Sequence, residues 1–166
     1  MDIYPTMRGW VGYYVFKKMA KNKKIWIVSG DFGYKMWDTA RDVYPERFIN
    51  TGASEQAMMG IAVGLALSGK IPIVYTATSF LLFRAFETIR NYINHENINV
   101  KLIGAGRNRD YDVDGFSHWA EEDKAVMKIF SNISCFWPEK KEEIPTLIDK
   151  MILSPKPWYI NLRKSV

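Results

Sequence analysis

The chain has 166 residues, 48% apolar and 25% charged, with a formal net charge of +5. That length suits one domain with a real core, and the composition excludes a disordered chain. No apolar run approaches the ~20 residues of a membrane-spanning helix, and Lys and Arg are scattered rather than gathered on one face, so neither a membrane nor a nucleic acid is expected as partner. The start, Met1-Asp2-Ile3-Tyr4-Pro5, lacks the basic-then-apolar pattern of a signal peptide, so a cytoplasmic protein is expected. A mild positive balance also suits phosphorylated small molecules. The one cysteine, Cys135, permits no internal disulfide and no zinc cluster, and within Ile133–Trp137 it reads as a buried strand residue.

Arg8 to Lys21 has helical spacing, with Trp10, Val11, Tyr14, Val15 and Lys18 on one side. Lys24 to Ser29 is a short apolar strand ending at Gly30-Asp31, and a helix is expected from there to about Val43, stopped by Pro45. Arg47 to Asn50 is a second strand. Ser54 to Leu67 is a helix rich in small residues, closed by Gly69. Ile71 to Tyr75 is a strand apolar on both faces, as in a buried parallel sheet. Phe80 to His95 is helical, Val100 to Ala105 is another buried strand, and a polar loop runs from Gly106 to Ser117. Glu121–Phe130 and Glu142–Leu153 are helices; Ser134–Trp137 and Trp158–Leu162 are strands. The alternation predicts an α/β fold: a doubly wound, mostly parallel sheet with helices on both faces. Ligands of such sheets sit at the carboxyl ends of the strands, where the loops after Ser29, Asn50, Tyr75 and Ala105 fall.

Four places in those loops carry chemistry. Glu55 opens the small-residue helix. An acidic residue there stabilises a helix N-terminus by about 0.3–1 kcal/mol. The density of small residues from Ala57 to Ala66 also points to close backbone contact with the sheet or a second chain. Burial disfavours the charged form of a carboxylate, which suits proton transfer near neutral pH. Phe80, Phe83 and Phe86 lie three apart, either a core stripe or a platform for a flat ring. The long loop after Ala105 holds Arg107, Arg109, Asp110, Asp112, Asp114 and His118; long polar loops are functional more often than structural. Its Asp-x-Asp pairs lack the twelve-residue calcium pattern. Asp31-Phe32-Gly33 stands alone, without the other parts of a kinase.

Together these segments resemble the pyrimidine-binding domain of transketolases, with 1-deoxyxylulose-5-phosphate synthases as near cousins. The resemblance runs from about Pro45 to Pro138. It rests on PERFINTGASEQAMMGIAVGLALSGKIPIVYT, on SFLLFRAFETIRN and on Asp114-Gly-Phe-Ser-His118, in family order and spacing. It implies the thiamine-diphosphate-binding fold. Glu55 then takes the position of the glutamate that hydrogen-bonds the cofactor's aminopyrimidine and so helps generate its carbon nucleophile. Phe80 takes that of the stacking aromatic, Phe83 a second wall, and Asp31 an acidic residue near the cofactor. Asp114 and His118 take positions that bind the sugar donor's hydroxyls, His118 also being a catalytic candidate. Arg107, with Arg109 as the alternative, is the candidate for a phosphate or carboxylate.

Three departures bear on the substrate more than on the cofactor. Ala77 stands where the family has an aromatic, Gly106-Arg107 where a histidine is common, and Phe116 where proline is usual. Residues 1–166 then form a single domain, without the family's diphosphate-binding domain, whose Gly-Asp-Gly and asparagine pair hold magnesium, and without its C-terminal domain. The expected protein is one half of a split transketolase that moves a two-carbon ketol unit between sugar phosphates. Its expected partner is a diphosphate-binding subunit holding Mg2+, in a heterotetramer with two of each chain, and two copies of this chain meet through the Ser54–Ser68 helix. The alternatives are the small subunit of a 2-oxoacid decarboxylase and a non-catalytic subunit that keeps the fold.

Overall fold

The computed structural model describes residues 4–164; Met1, Asp2 and Ile3 of the N-terminal reading lie outside them. Among the described residues, β1 (Ile25–Ser29), β2 (Phe48–Asn50), β3 (Ile71–Ala77), β4 (Lys101–Ala105), β5 (Ser134–Phe136) and β6 (Trp158–Leu162) form one sheet in the order β2-β1-β3-β4-β6-β5. Every neighbouring pair is parallel. Strand side chains alternate between two cores. Ile25, Ile27, Ile73, Tyr75, Ile103 and Ile160 face one; Val28, Val74, Leu102 and Tyr159 face the other. Both faces are apolar because both are covered. The first core is closed by α1 (Met7–Lys21), α2 (Asp38–Val43) and α6 (Ile144–Leu153). The second is closed by α3 (Glu55–Leu67), the helical stretch 80–95 and α5 (Asp123–Met127). No helix among the described residues is long and apolar enough to cross a membrane.

The doubly wound α/β sheet is as the sequence implies. From β1 the chain steps outward to β2, then returns to β3 on the other side of β1. This reversal opens a crevice at the carboxyl ends of β1 and β3, the place where such sheets bind ligands.

Four local expectations change. The helix expected from Gly30 begins only at Asp38, because Asp31, Gly33 and Lys35 take positive φ of 52°, 99° and 65°. The stretch 80–95 is no uniform α-helix: Phe80–Arg84 and Ile89–His95 are π-helical, with α4 (Phe86–Thr88) between them. α5 is shorter than expected, since Ile129 and Phe130 donate to carbonyls three residues back and tighten the turn. Cys135 is half-buried rather than sealed because β5 is an edge strand. Even so, burial pushes its thiol up to about 11.

Lys101 is fully buried, and its ammonium donates to the carbonyls of Ser154 at 2.9 Å and Lys156 at 2.6 Å. Burial lowers its pKa to about 7, against an ordinary 10.5. Above pH 7 the folded chain releases this proton while the unfolded chain keeps it, so stability rises with pH. Above about pH 9 the rise ends, because burial raises the Tyr75, Tyr159 and Cys135 pKa values and the unfolded state loses those protons first. Urea unfolding between pH 7 and 9 should show stability increasing by up to ~1.4 kcal/mol per pH unit. Lys101→Met should flatten that slope.

Candidate active site

The crevice is built from the first turn of α3, the start of the 80–95 stretch and the loop after β4. Ser54 precedes α3 without capping it through its side chain, and the Glu55 side chain beside it is only 2% exposed. Arg84 Nη1 donates to Glu55 Oε2 at 2.9 Å, and the other carboxylate oxygen has no hydrogen-bond partner among the described residues. An isolated charge so placed is strongly unfavourable, and Arg84 offsets it. Gln56, the next residue, donates to Thr88 Oγ1 at 2.8 Å and ties α3 to the 80–95 stretch.

The first turn of the 80–95 stretch is π-helical. Its i→i+5 winding is wider than an α-turn. Phe80, Phe83 and Phe86 therefore do not share one face. Phe83 is 48% exposed, Phe86 packs on Phe130 with ring centroids 5.5 Å apart, and the Arg84 guanidinium covers Phe80, 3.6 Å from its centroid. His118 meets the same ring, 4.7 Å between centroids at 61°. Glu55, Phe80 and His118 thus lie around one point, with Arg84 bridging the first two.

The 106–118 loop is braced at its base. Gly106 has φ +85°, and a Cβ there would strike the Tyr111 ring. Asp110 Oδ2 accepts from the Arg107 and Lys164 amides, both at 2.9 Å. Ser79 Oγ donates to the Ser117 carbonyl at 2.8 Å, which docks His118 beside Phe80. His118 Nδ1 lies 3.0 Å from Ser117 Oγ. Asp114 is exposed at the loop's tip, in a one-turn 3-10 helix. Asp31, also exposed, pairs with Asn50: its amide donates to Asn50 Oδ1 at 2.9 Å, and Asn50 Nδ2 donates to its carboxylate at 3.2 Å. It lines a separate cleft of about 410 Å³ with Phe32, Trp37 and Arg41. Neither aspartate hydrogen-bonds the Glu55–Phe80–His118 group.

Arg107 is corrected. Its guanidinium is buried, and it donates to the carbonyls of Asn161 (3.1 and 2.7 Å) and Pro138 (2.6 Å) and to Glu139 (3.0 Å). Burial draws its pKa down, partly offset by Glu139. It locks β4 to β6, and four of its five N–H donors are engaged within the chain. The residue that sequence reasoning left without a role is Arg84, which it had only as part of the Arg-Ala-aromatic run. It lies four residues on from Phe80, a spacing that brings two side chains together on a helix.

The planar guanidinium shows what the crevice accepts. It carries N–H groups, stacks on Phe80 and donates to Glu55, two contacts that a flat heterocycle with an amino group can also make. The aminopyrimidine of thiamine diphosphate fits that description. The family profile described as "Transketolase, pyrimidine binding domain" matches residues 5–166. This chain belongs to that family.

The chain is 37% identical over 119 residues to an apulose-4-phosphate transketolase subunit of Actinobacillus succinogenes, covering 72% of this chain and 38% of that one. It is 29% identical over 161 residues to a putative transketolase C-terminal section of Methanocaldococcus jannaschii, covering 96% and 51%. Among solved structures, a split gene transketolase described as an inactive beta4 tetramer superposes with a TM-score of 0.84 at 32% identity, over 96% of this chain and 52% of that chain. A transketolase from Pichia stipitis, at 20% identity and a TM-score of 0.85, shares the fold. The chain thus spans about half or less of the length of the curated relatives it matches.

The Arg107 lock generates a contrast with its exposed neighbour Arg109, which pairs with Glu121 and lies 4.2 Å over Trp119. Arg107→Met should cost about 2–4 kcal/mol of unfolding free energy in urea, because buried carbonyls lose their donors. Arg109→Met should cost no more than ~1 kcal/mol.

Proposed function

We propose that this domain supplies the pyrimidine-binding half of a cytoplasmic, transketolase-like enzyme that moves a two-carbon ketol unit between sugar phosphates. The observation that carries the reading is the convergence of buried Glu55, Phe80 and His118 at the carboxyl end of the sheet. Glu55 would hydrogen-bond the aminopyrimidine, Phe80 would stack on it, and Phe83 would form a second wall. When bound, thiamine diphosphate supplies the carbon nucleophile and electron sink that this chemistry needs. Around it the chain's own residues act by placement: Glu55 would hold or yield a proton at its carboxylate, and His118 would present its imidazole to a donor hydroxyl. Asp114, beyond it on the same loop, would bind a second hydroxyl, and Asp31 would approach the cofactor from the β1 side.

The diphosphate and its Mg2+ would be held by a separate diphosphate-binding subunit, in a complex with two of each chain. The relatives named as a transketolase subunit and as a split gene transketolase support this division. Contact between the two copies of this chain is assigned to the Ser54–Ser68 segment. Ala57, Gly60, Ile61, Gly64 and Leu67 form an exposed stripe along α3. A Cβ on Gly60 or Gly64 would meet nothing within 4 Å, so packing within the chain does not require glycine there. Close approach of another backbone would.

Three measurements test this. Calorimetry with thiamine diphosphate and Mg2+ should show tight binding only when the chain is mixed with a diphosphate-binding transketolase subunit. Absence of binding in the mixture would overturn the reading. In that complex Glu55→Gln should lower ketol transfer by ~10²-fold or more, the usual range for loss of a proton-transfer group. Sedimentation should show self-association weakened in Gly64→Arg and unchanged in Lys128→Ala, a substitution on α5's flank.

A further inference from the structure

Arg84 and Arg107 are held very differently. Arg107 is 5% exposed at its side chain and makes four hydrogen bonds. Arg84 is 45% exposed, makes one hydrogen bond to Glu55 and rests on one ring, Phe80. Releasing Arg107 would strand several buried acceptors. Releasing Arg84 frees a side chain already half in water and leaves a single group, the Glu55 carboxylate, without its partner.

What Arg84 covers is as informative as how loosely it is held. Phe80 has two faces and an edge. His118 meets it steeply, at 61°, and the guanidinium lies over its centroid at 3.6 Å. A ring that stacks on that same face of Phe80 while hydrogen-bonding Glu55 Oε2 needs the space and the oxygen that Arg84 now takes. Both cannot be there at once.

We infer that Arg84 is a built-in occupant of the ring pocket: its guanidinium keeps the place of a flat, N–H-bearing ring on Phe80 and Glu55, and an incoming aminopyrimidine enters by displacing it. The inference rests on the function proposed above. Its physical content is a linkage. In the empty chain Arg84 neutralises a carboxylate that water barely reaches and covers an aromatic face, so the unliganded fold is favoured. The same contacts must be given up when the ring binds. Apparent affinity is then reduced by the fraction of molecules whose pocket is vacant, a penalty that disappears when the competitor is removed.

The test uses the complex of this chain with its diphosphate-binding subunit, thiamine diphosphate with Mg2+ as the probe, and two readouts: calorimetric Kd and thermal midpoint with and without the probe. Arg84→Met should bind roughly 3- to 30-fold more tightly than wild type. Its unliganded midpoint should fall while its saturated midpoint returns to the wild-type value or above. A purely structural arginine would lower both midpoints and leave the difference between them unchanged. Should Arg84→Met fail to fold, Arg84→Lys serves, since its ammonium can pair with Glu55 without covering Phe80 as a plane; a smaller gain in affinity is expected. Wild-type binding with equal or weaker binding in the variants would overturn this inference alone and make Arg84 a positioning residue for Glu55. Absence of binding in wild type and variants alike would overturn the functional reading and this inference with it.

Discussion

Glu55 carries a charge where water scarcely reaches, and the geometry on its side of the crevice follows from that placement. A carboxylate 2% exposed needs a cation or several donors within reach. Ser54 gives it no help through its own side chain, so the partner has to come from another element. The 80–95 stretch provides it through Arg84, which lies four residues on from Phe80 and over its ring. The Gln56–Thr88 hydrogen bond then fixes the two elements against each other one turn further along. A single buried charge thus sets the register between α3 and the segment that follows β3.

The other side of the crevice is set by a buried polar chain rather than by one pair. Asp123 is 3% exposed and accepts from Trp137 Nε1 (2.5 Å), Tyr159 OH (3.2 Å) and Asn161 Nδ2 (2.5 Å). Asn161 in turn accepts from Thr78 Oγ1 at 3.2 Å, and its backbone carbonyl receives Arg107. A Cβ at Gly104 would come within 2.6 Å of that Thr78 hydroxyl, so the glycine leaves room for it at the end of β4. The next residue, Ser79, holds the Ser117 carbonyl and with it His118. Each buried group in this series is satisfied, and such networks rigidify what they touch. The loop is therefore firm at its root and open at its tip, where Val113 and Phe116 are 92% and 76% exposed.

The sheet was legible in the sequence because its signal is redundant. The inner strands β1, β3, β4 and β6 are largely apolar and buried on both faces, as in a parallel sheet covered twice. The pairing of Glu55 with Phe80 across one site was legible through family spacing, not through composition. Three features were not. Backbone at positive φ at Asp31 and Lys35 broke a helix whose residues have acceptable helical spacing, and neither is glycine. The π-turn at Phe80 parted the three aromatics that an α-helical spacing of three puts on one face. Arg107 sits in a polar, flexible-looking loop, yet its donors go to backbone carbonyls of β6 and Pro138. Those acceptors are set by tertiary structure, and no residue pattern announces them.

One helix joins the two halves of the proposed function. α3 presents Glu55 inward at its first turn and Ala57, Gly60, Ile61 and Gly64 outward on the turns that follow. A second copy laid against that outward face would touch no residue of the crevice, yet it would remove water from the flank of the turn that carries the carboxylate. Lower local dielectric strengthens each charge interaction of Glu55, whether with Arg84 or with a bound ring. It would also raise the penalty for leaving the carboxylate unpaired. Exchange of one planar partner for another then becomes more favourable than simple departure of Arg84. The stripe of small residues and the half-exposed arginine are on this argument not separate traits. The first would tighten the surroundings of the charge, and the second would keep that charge matched until a ring takes over.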